Sequence, residues 1–183
     1  GLREGRQDLV DALSPAAQRG LKLFLGRGQC TLCHFGPNFS DGEFHNIGFA
    51  PLPGRKIDVG RYDGVKLVRA DRFRGSGPHS DDPSEAANPR LHFVALKTNN
   101  MGEFKTPTLR NLTRTAPYMH DGRFGNLAEV LRYYSTLPQK PPIGHIEESL
   151  IPLNLTDEET TDLTAFLKVG LQGQESGKFA SSR

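Results

Sequence analysis

The 183-residue sequence contains no tryptophan, two methionines and two cysteines. It also has no excess of one charge, because 23 Lys and Arg residues stand against 21 Asp and Glu residues. This balance, with no polybasic block, gives no indication of binding to nucleic acid or to a membrane surface. No apolar run approaches the length of a membrane-spanning helix, and the first ten residues lack a signal-peptide pattern. We therefore expect a mature or trimmed soluble chain.

The two cysteines are Cys30 and Cys33, and His34 follows directly. This C-x-x-C-H pattern is the attachment signature of a c-type haem. Cysteines at this spacing on a helical turn face the same way, so both thiols can reach the vinyl groups of one porphyrin, while the adjoining histidine gives iron its proximal nitrogen. Because covalent haem attachment takes place outside the cytoplasm, the motif also predicts an exported, periplasmic protein.

Three other uses of the cysteine pair fit less well. A thioredoxin-like dithiol requires a strand before the motif, whereas residues 21–25 have a helical pattern. A structural zinc site needs four ligands, and no second cysteine or histidine pair stands at zinc spacing. A disulfide here would close too short a loop to stabilise the fold much. We therefore predict one covalent haem c, without which a chain of 20 glycines and 13 prolines would lose much of its core.

Helix signals bracket the motif. Ser14 and Pro15 form a helix start, a capping hydroxyl followed by proline at the first position. The apolar face of this helix consists of Ala17, Leu21, Phe24 and Leu25. Thr156 and Glu159 form a capping box near the other end of the chain. The apolar stripe of that helix consists of Leu163, Phe166 and Leu167, and Gly170 is its predicted C-terminal end. Two such helices, with Gly20 as a candidate point of close crossing, are the expected frame of an all-α, cytochrome c-like domain.

A third helix is predicted from about Asn126 to Thr136. Its buried face consists of Leu127, Val130, Leu131 and Tyr134. Residues 61–97 show little periodicity, so we interpret them as a surface excursion with apolar anchors at 65–68 and 91–96. The predicted organisation is an N-terminal lead-in at residues 1–13, a haem domain with long ordered loops at 14–172, and a C-terminal tail at 173–183.

Three further segments strengthen the haem interpretation: FSDGEFHNIG at residues 39–48, FKTPTLRN at 104–111 and TAPYMHDG at 115–122. Together with the C-x-x-C-H unit they resemble the C-terminal haem domain of the bacterial di-haem cytochrome c peroxidases, particularly its MauG-like branch. The resemblance runs from about Ser14 to Gly170. Members normally carry two C-x-x-C-H domains, so the resemblance implies that the peroxidatic haem is absent from this chain.

The resemblance also implies a distal ligand for the haem iron. In the family this ligand comes from the helix after the His-Asp-Gly turn, as methionine in peroxidases and tyrosine in MauG-like proteins. The matching residue is Tyr134, which periodicity independently places on the buried face. An anionic tyrosinate would stabilise ferric iron and lower the potential. Two alternatives stay open: Tyr134 as a core aromatic with a hydrogen-bonded hydroxyl, and Met101 or Met119 as the ligand.

Two further sites follow from the same resemblance. The backbone carbonyls of Thr115 and Pro117 would bind calcium, a hard cation that prefers oxygen ligands. Arg110 would pair with a haem propionate. The alternatives are a rigid turn at residues 115–117 and an ordinary surface arginine. The family's tryptophan relay has no counterpart here, so any long-range electron hopping would use Tyr or Phe.

These features predict an electron-transfer domain with no catalytic residue of its own, the C-terminal half of a MauG-like di-haem peroxidase or oxidase. Its partner would be the missing peroxidatic haem domain or a redox protein. With both axial positions filled, the chain alone should be a poor peroxidase. Two alternative functions remain: a free-standing monohaem electron carrier with Met101 or Met119 as distal ligand, and a haem-based sensor whose weak distal ligand gives way to a gas or peroxide.

Overall fold

The computed structural model describes residues 12–84, 86–138 and 140–172. The predicted tail, and the predicted lead-in up to residue 11, lie outside the described residues. Four α-helices are described: α1 Pro15–Leu25, α2 Arg61–Ala70, α3 Leu127–Thr136 and α4 Asp157–Val169. None of the helices in this part of the chain is long and apolar enough to cross a membrane.

The described chain is rich in helix, as predicted, but it also contains a small β-sheet. Strands β1 Phe44–His45 and β2 Phe104–Lys105 pair antiparallel, with Phe44 opposite Lys105. The prediction of a purely α-helical fold did not include this pair. A strand of two residues is too short to show the alternation of apolar and polar residues by which strands are found in a sequence.

The chain forms two compact units. Within the described residues, the first unit draws on 12–42, 106–137 and 151–172, and so contains α1, α3 and α4. The second draws on 43–105 and 138–150, and contains α2 and both strands. The predicted surface excursion at residues 61–97 falls inside the second unit.

The helix starts of the first unit confirm the capping predictions. The Ser14 hydroxyl accepts a hydrogen bond from the amide of Ala17 at 3.3 Å, and proline occupies the first position of α1. In α4, the amide of Thr156 donates to the carboxylate of Glu159 at 2.9 Å, and the amide of Glu159 donates to the Thr156 hydroxyl at 3.2 Å. These bonds satisfy amide groups that have no partner within the helix.

The core of the first unit forms where α1 and α4 cross. The residues buried there are Ala17, Phe24, Leu112, Leu127, Leu131, Leu163, Phe166, Leu167 and Leu171. Gly20 is also buried, and a methyl group in its place would lie 2.8 Å from the Cβ atom of Phe166, which confirms the predicted close crossing. The prediction for Leu25 was wrong, because its side chain is 62% exposed. It is the last residue of α1, and the chain turns at Gly26.

The second unit corrects the predicted apolar anchors. Residues 61–70 form helix α2, which buries Val65 but leaves Leu67 and Val68 exposed. The predicted anchor at 91–96 likewise leaves Phe93 and Leu96 exposed. Local signals for α2 are weak, because Gly60 at its start provides no side-chain cap and Gly64 lies in its interior.

Candidate haem site

The two cysteines lie in a tight turn after α1. Cys30–Leu32 is a single 3₁₀ turn, separate from α1, which ends at Leu25. The amide groups of Cys33 and His34 both donate to the carbonyl oxygen of Cys30. Both thiols are partly buried and form no disulfide. Burial raises the pKa of the Cys30 thiol to about 11, which keeps it protonated at neutral pH.

The ring of His34 is oriented by the loop that follows it. Its Nδ1 atom lies 2.9 Å from the carbonyl oxygen of Phe39. A carbonyl oxygen can only accept, so Nδ1 carries the proton and Nε2 carries the lone pair. This tautomer is the one that a metal-binding imidazole adopts when its other nitrogen is fixed by a backbone carbonyl. Two thiols and an imidazole in this state are the donor set that a covalent haem c requires, so the residues present fit the group.

The loop itself, residues 35–41, is held by a segment far along the chain. The Nε and Nη2 atoms of Arg110 donate to the carbonyl oxygen of Pro37 at 2.9 and 2.7 Å. The guanidinium carbon of Arg110 also stands 4.9 Å from the centre of the Phe39 ring. The hydroxyl of Thr108 donates to the carbonyl oxygen of Asn38 at 2.6 Å. Pairing of Arg110 with a propionate stays a prediction.

Sequence reasoning missed these loop residues, because their contribution is made by backbone carbonyls. The one available signal was the Gly36-Pro37 pair directly after the motif, which is typical of a turn. Phe39 adopts a φ of +48°, a left-handed conformation that is rare for a bulky residue. A phenylalanine in the sequence does not predict this conformation.

Tyr134 lies on α3 and is half-buried. Burial raises the pKa of its hydroxyl, and electrostatic interactions with Tyr133, Cys33 and Cys30 add to the rise. The ring of Tyr133 stands edge-on to that of Tyr134, with centroids 5.9 Å apart. The role of Tyr134 as a ligand of the haem iron stays a prediction.

Helix α3 confirms most of the predicted pattern. It begins after Asn126, whose side chain accepts from the amide of Glu129 at 3.0 Å. Leu127 and Leu131 are buried as predicted, whereas Val130 is half-buried. The next segment fixes the end of the helix: the amide of Leu153 donates to the carbonyl of Tyr134 at 3.1 Å, and that of Leu155 to the hydroxyl of Ser135 at 2.6 Å.

The turn before α3 contains the predicted calcium-binding carbonyls and one candidate methionine. Thr115 and Pro117 are exposed, and the bond between Ala116 and Pro117 is cis. The hydroxyl of Tyr118 donates to the carbonyl of Leu112 at 2.8 Å, which ties the turn to the core. The two candidate methionine ligands lie in different parts of the chain. Met119 is half-buried in the same turn.

Met101 belongs to the second unit, where its backbone carbonyl accepts a hydrogen bond from the side chain of Asn46 at 3.3 Å. Calcium binding and methionine ligation both stay predictions.

Comparison with known proteins identifies relatives, although no family model matches the sequence. Cytochrome-c peroxidase IdrP1 of Denitromonas iodatirespirans is 33% identical over 162 residues, which is 86% of this chain and 40% of that protein. The methylamine utilization protein MauG of Methylorubrum extorquens is 31% identical over 157 residues, 86% of this chain and 35% of MauG. This chain is a relative of the cytochrome-c peroxidases and of MauG. The predicted resemblance is therefore confirmed.

The fold agrees with this relationship. A variant of the diheme peroxidase BthA from Burkholderia thailandensis superposes with a TM-score of 0.61 at 22% identity, over 88% of this chain and 43% of that one. The chain spans 35–40% of the length of IdrP1 and MauG. Because these relatives are much longer than this chain, the activity of a whole relative does not transfer directly to it.

Proposed function

We propose that this chain is a covalent c-type haem electron-transfer domain, equivalent to the C-terminal part of a MauG-like di-haem peroxidase or oxidase. The observation that carries the proposal is the hydrogen bond from His34 Nδ1 to the Phe39 carbonyl, beside two cysteines at haem-attachment spacing. An imidazole fixed in this way presents Nε2 to a metal. The relationship to cytochrome-c peroxidases and MauG supports the same conclusion.

Each site residue has a distinct role in this proposal. Haem c supplies a centre that gains and loses one electron when it is bound. Cys30 and Cys33 would hold it through thioether bonds, and His34 and Tyr134 would bind its iron. Burial favours the protonated form of the Tyr134 phenol, because it raises the pKa of the hydroxyl. A ferric centre beside the hydroxyl would offset that cost and favour the anionic oxygen donor.

The arrangement favours electron transfer over peroxide chemistry in this domain. If His34 and Tyr134 both bound the iron, they would exclude peroxide from it. The domain would therefore exchange electrons with a peroxidatic haem domain or with a separate redox protein. Since covalent haem attachment takes place outside the cytoplasm, we propose a periplasmic location.

We also propose that the backbone carbonyls of Thr115 and Pro117 bind calcium. The test is the melting temperature, which should rise with Ca²⁺ but not with Mg²⁺.

The deciding experiment is the optical spectrum of the ferric protein at neutral pH. Wild type is expected to lack the weak red methionine-to-iron band and to show a phenolate charge-transfer feature. Tyr134→Phe should lose that feature. Tyr133→Phe, which removes a hydroxyl from the preceding residue of the same helix, should keep it and serves as the matched control.

Each other outcome selects another function. A methionine band that persists in Tyr134→Phe would reject the tyrosine ligand and favour a monohaem electron carrier, and Met101→Leu and Met119→Leu would then identify the ligand. Displacement of the distal ligand by carbon monoxide or peroxide in wild type would favour a sensor. Failure to attach haem during maturation in a periplasm would reject the haem domain altogether.

A further inference from the structure

Three successive carbonyls in the loop after the motif accept hydrogen bonds from side chains: those of Pro37, Asn38 and Phe39. The first accepts two bonds from Arg110, and the second accepts one from Thr108. The third accepts from His34. The segment that contains Thr108 and Arg110 therefore holds the carbonyls of Pro37 and Asn38, while the carbonyl of Phe39 holds the imidazole of His34.

The segment that makes these bonds is itself locked. The Thr108 hydroxyl donates to the loop and also accepts from the amide of Arg110 at 3.1 Å, so the two residues hold a fixed relation. Arg110 adds a cation–π contact with the Phe39 ring. Its two N–H bonds to one oxygen require a planar guanidinium, which lysine cannot replace.

The loop needs such support because of its backbone conformation. Phe39 has a φ of +48°, which costs free energy for an aromatic residue and persists only where the surroundings fix it. If the loop relaxed, the direction of the Phe39 carbonyl would change, and with it the hydrogen bond to His34.

We propose that Thr108 and Arg110 are positioning residues for His34, acting through the loop carbonyls to hold its Nδ1–H bond. This inference rests on the proposed function, in which His34 is the proximal ligand. A strong Nδ1–H bond makes the imidazole a better electron donor, which stabilises ferric over ferrous iron. We call the pair Thr108 and Arg110 the clamp. Loss of the clamp would therefore weaken the iron–histidine bond and raise the haem potential.

The test uses substitutions that leave the net charge unchanged. Thr108→Val removes the hydroxyl, and Arg110→Lys keeps the positive charge but loses the planar fork. The matched controls are Thr113→Val and Arg114→Lys, the same substitutions at exposed positions a few residues further on. Two quantities are measured in the haem-loaded protein: the midpoint potential, and the iron–histidine stretching frequency of the ferrous form by resonance Raman in a Tyr134→Phe background.

We expect both clamp variants to lower the stretching frequency and to shift the ratio of oxidised to reduced protein at a fixed potential by about threefold or more, the weight of one hydrogen bond. The controls should change neither quantity, and Thr108→Ser, which restores a hydroxyl, should return both values towards wild type.

A different result would overturn the inference. If Thr108→Val and Arg110→Lys bind haem with wild-type stretching frequency and potential, the clamp does not act on the histidine. If Arg110→Lys alone shifts the potential while the stretching frequency stays fixed, Arg110 acts on a propionate. If no iron–histidine band exists in any variant and His34→Gln leaves the spectrum unchanged, the proposed function fails, not only the clamp.

Discussion

Gly20 in α1 lies so close to Phe166 in α4 that a methyl group on its Cα atom would stand 2.8 Å from the Phe166 Cβ atom. The Asp162 carbonyl is also in contact with that position. We expect Gly20→Ala to lower the free energy of unfolding by about 1–3 kcal/mol, because the two helices would have to separate. Urea unfolding of the haem-loaded protein measures this difference.

The control is a second helical glycine in a different setting. Gly64 lies in the interior of α2, with open space at the position its Cβ would take. Gly64→Ala should raise the free energy of unfolding by about 0.4–1 kcal/mol, since alanine loses less backbone entropy on folding. If both substitutions change stability in the same direction, close packing is not the reason for Gly20.

Arg19 and Asp162 link the same two helices by a pair of charge-assisted hydrogen bonds. Arg19 Nε donates to Oδ2 of Asp162 at 2.6 Å, and Nη2 donates to Oδ1 at 2.7 Å. Asp162 is buried, so Asp162→Asn should lower the melting temperature, because the amide keeps one acceptor and turns N–H groups towards the guanidinium. Asp81→Asn, the same change at an exposed position, should leave it unaltered.

A double-mutant cycle with Arg19→Gln separates the contact from other effects of the substitutions. The double variant should be less destabilised than the sum of the two single variants. Strict additivity would show that the two side chains do not stabilise each other.

The ion pair of Asp121 and Arg123, in the turn before α3, predicts a pH dependence. Their side chains are largely buried, with Nη2 of Arg123 at 2.6 Å from Oδ2 of Asp121. The Arg123 guanidinium holds the pKa of the Asp121 carboxyl below its ordinary value. Because the pKa is lower in the folded state, this contribution to stability is present above the unfolded value of about 3.9 and is lost as pH falls through the folded value.

Arg123→Gln is therefore expected to lower stability at neutral pH and to reduce the loss of stability below about pH 4. Urea midpoints measured from pH 3 to 7 report both effects. If the urea midpoints of wild type and variant differ by the same amount at every pH in this range, Arg123 does not lower the pKa of Asp121.

Haem attachment should be required for folding. We expect Cys30→Ala or Cys33→Ala to abolish cooperative thermal unfolding, because the haem would supply much of the core in a chain rich in glycine and proline. Thr31→Ala, between the two cysteines, should keep both haem and a cooperative transition. Circular dichroism during heating tests this, and a haem-free variant with native-like cooperative melting would contradict it.

Local signals in the sequence predicted the parts of the fold that depend on few residues. The caps at Ser14 and Thr156 were predicted because serine and threonine at a helix start can accept a hydrogen bond from a first-turn amide, and the structure confirms both. Gly20 was a candidate for the close approach because glycine has no side chain, and the structure confirms it. Helix α2 was missed, since neither its cap nor its apolar spacing is distinctive.

Long-range backbone contacts were beyond the reach of sequence reasoning. Nothing in the sequence indicated that Arg110 donates to the carbonyl of Pro37. A carbonyl acceptor leaves no mark in a residue's identity, because every residue has one. Helical register and the family pattern together singled out Tyr134, and the structure places it in α3; its role as a ligand stays a prediction.

Because distant side chains hold the loop after His34, the C-x-x-C-H motif cannot form this site by itself. The side chains that hold the carbonyls of Pro37 and Asn38 lie 73 and 70 residues further along the chain. A peptide or grafted loop containing only α1 and the motif would carry the thiols and the imidazole without their orientation. Transplanting this site into another scaffold therefore requires two segments to be moved together, the motif with its loop and the strip that contains Thr108 and Arg110.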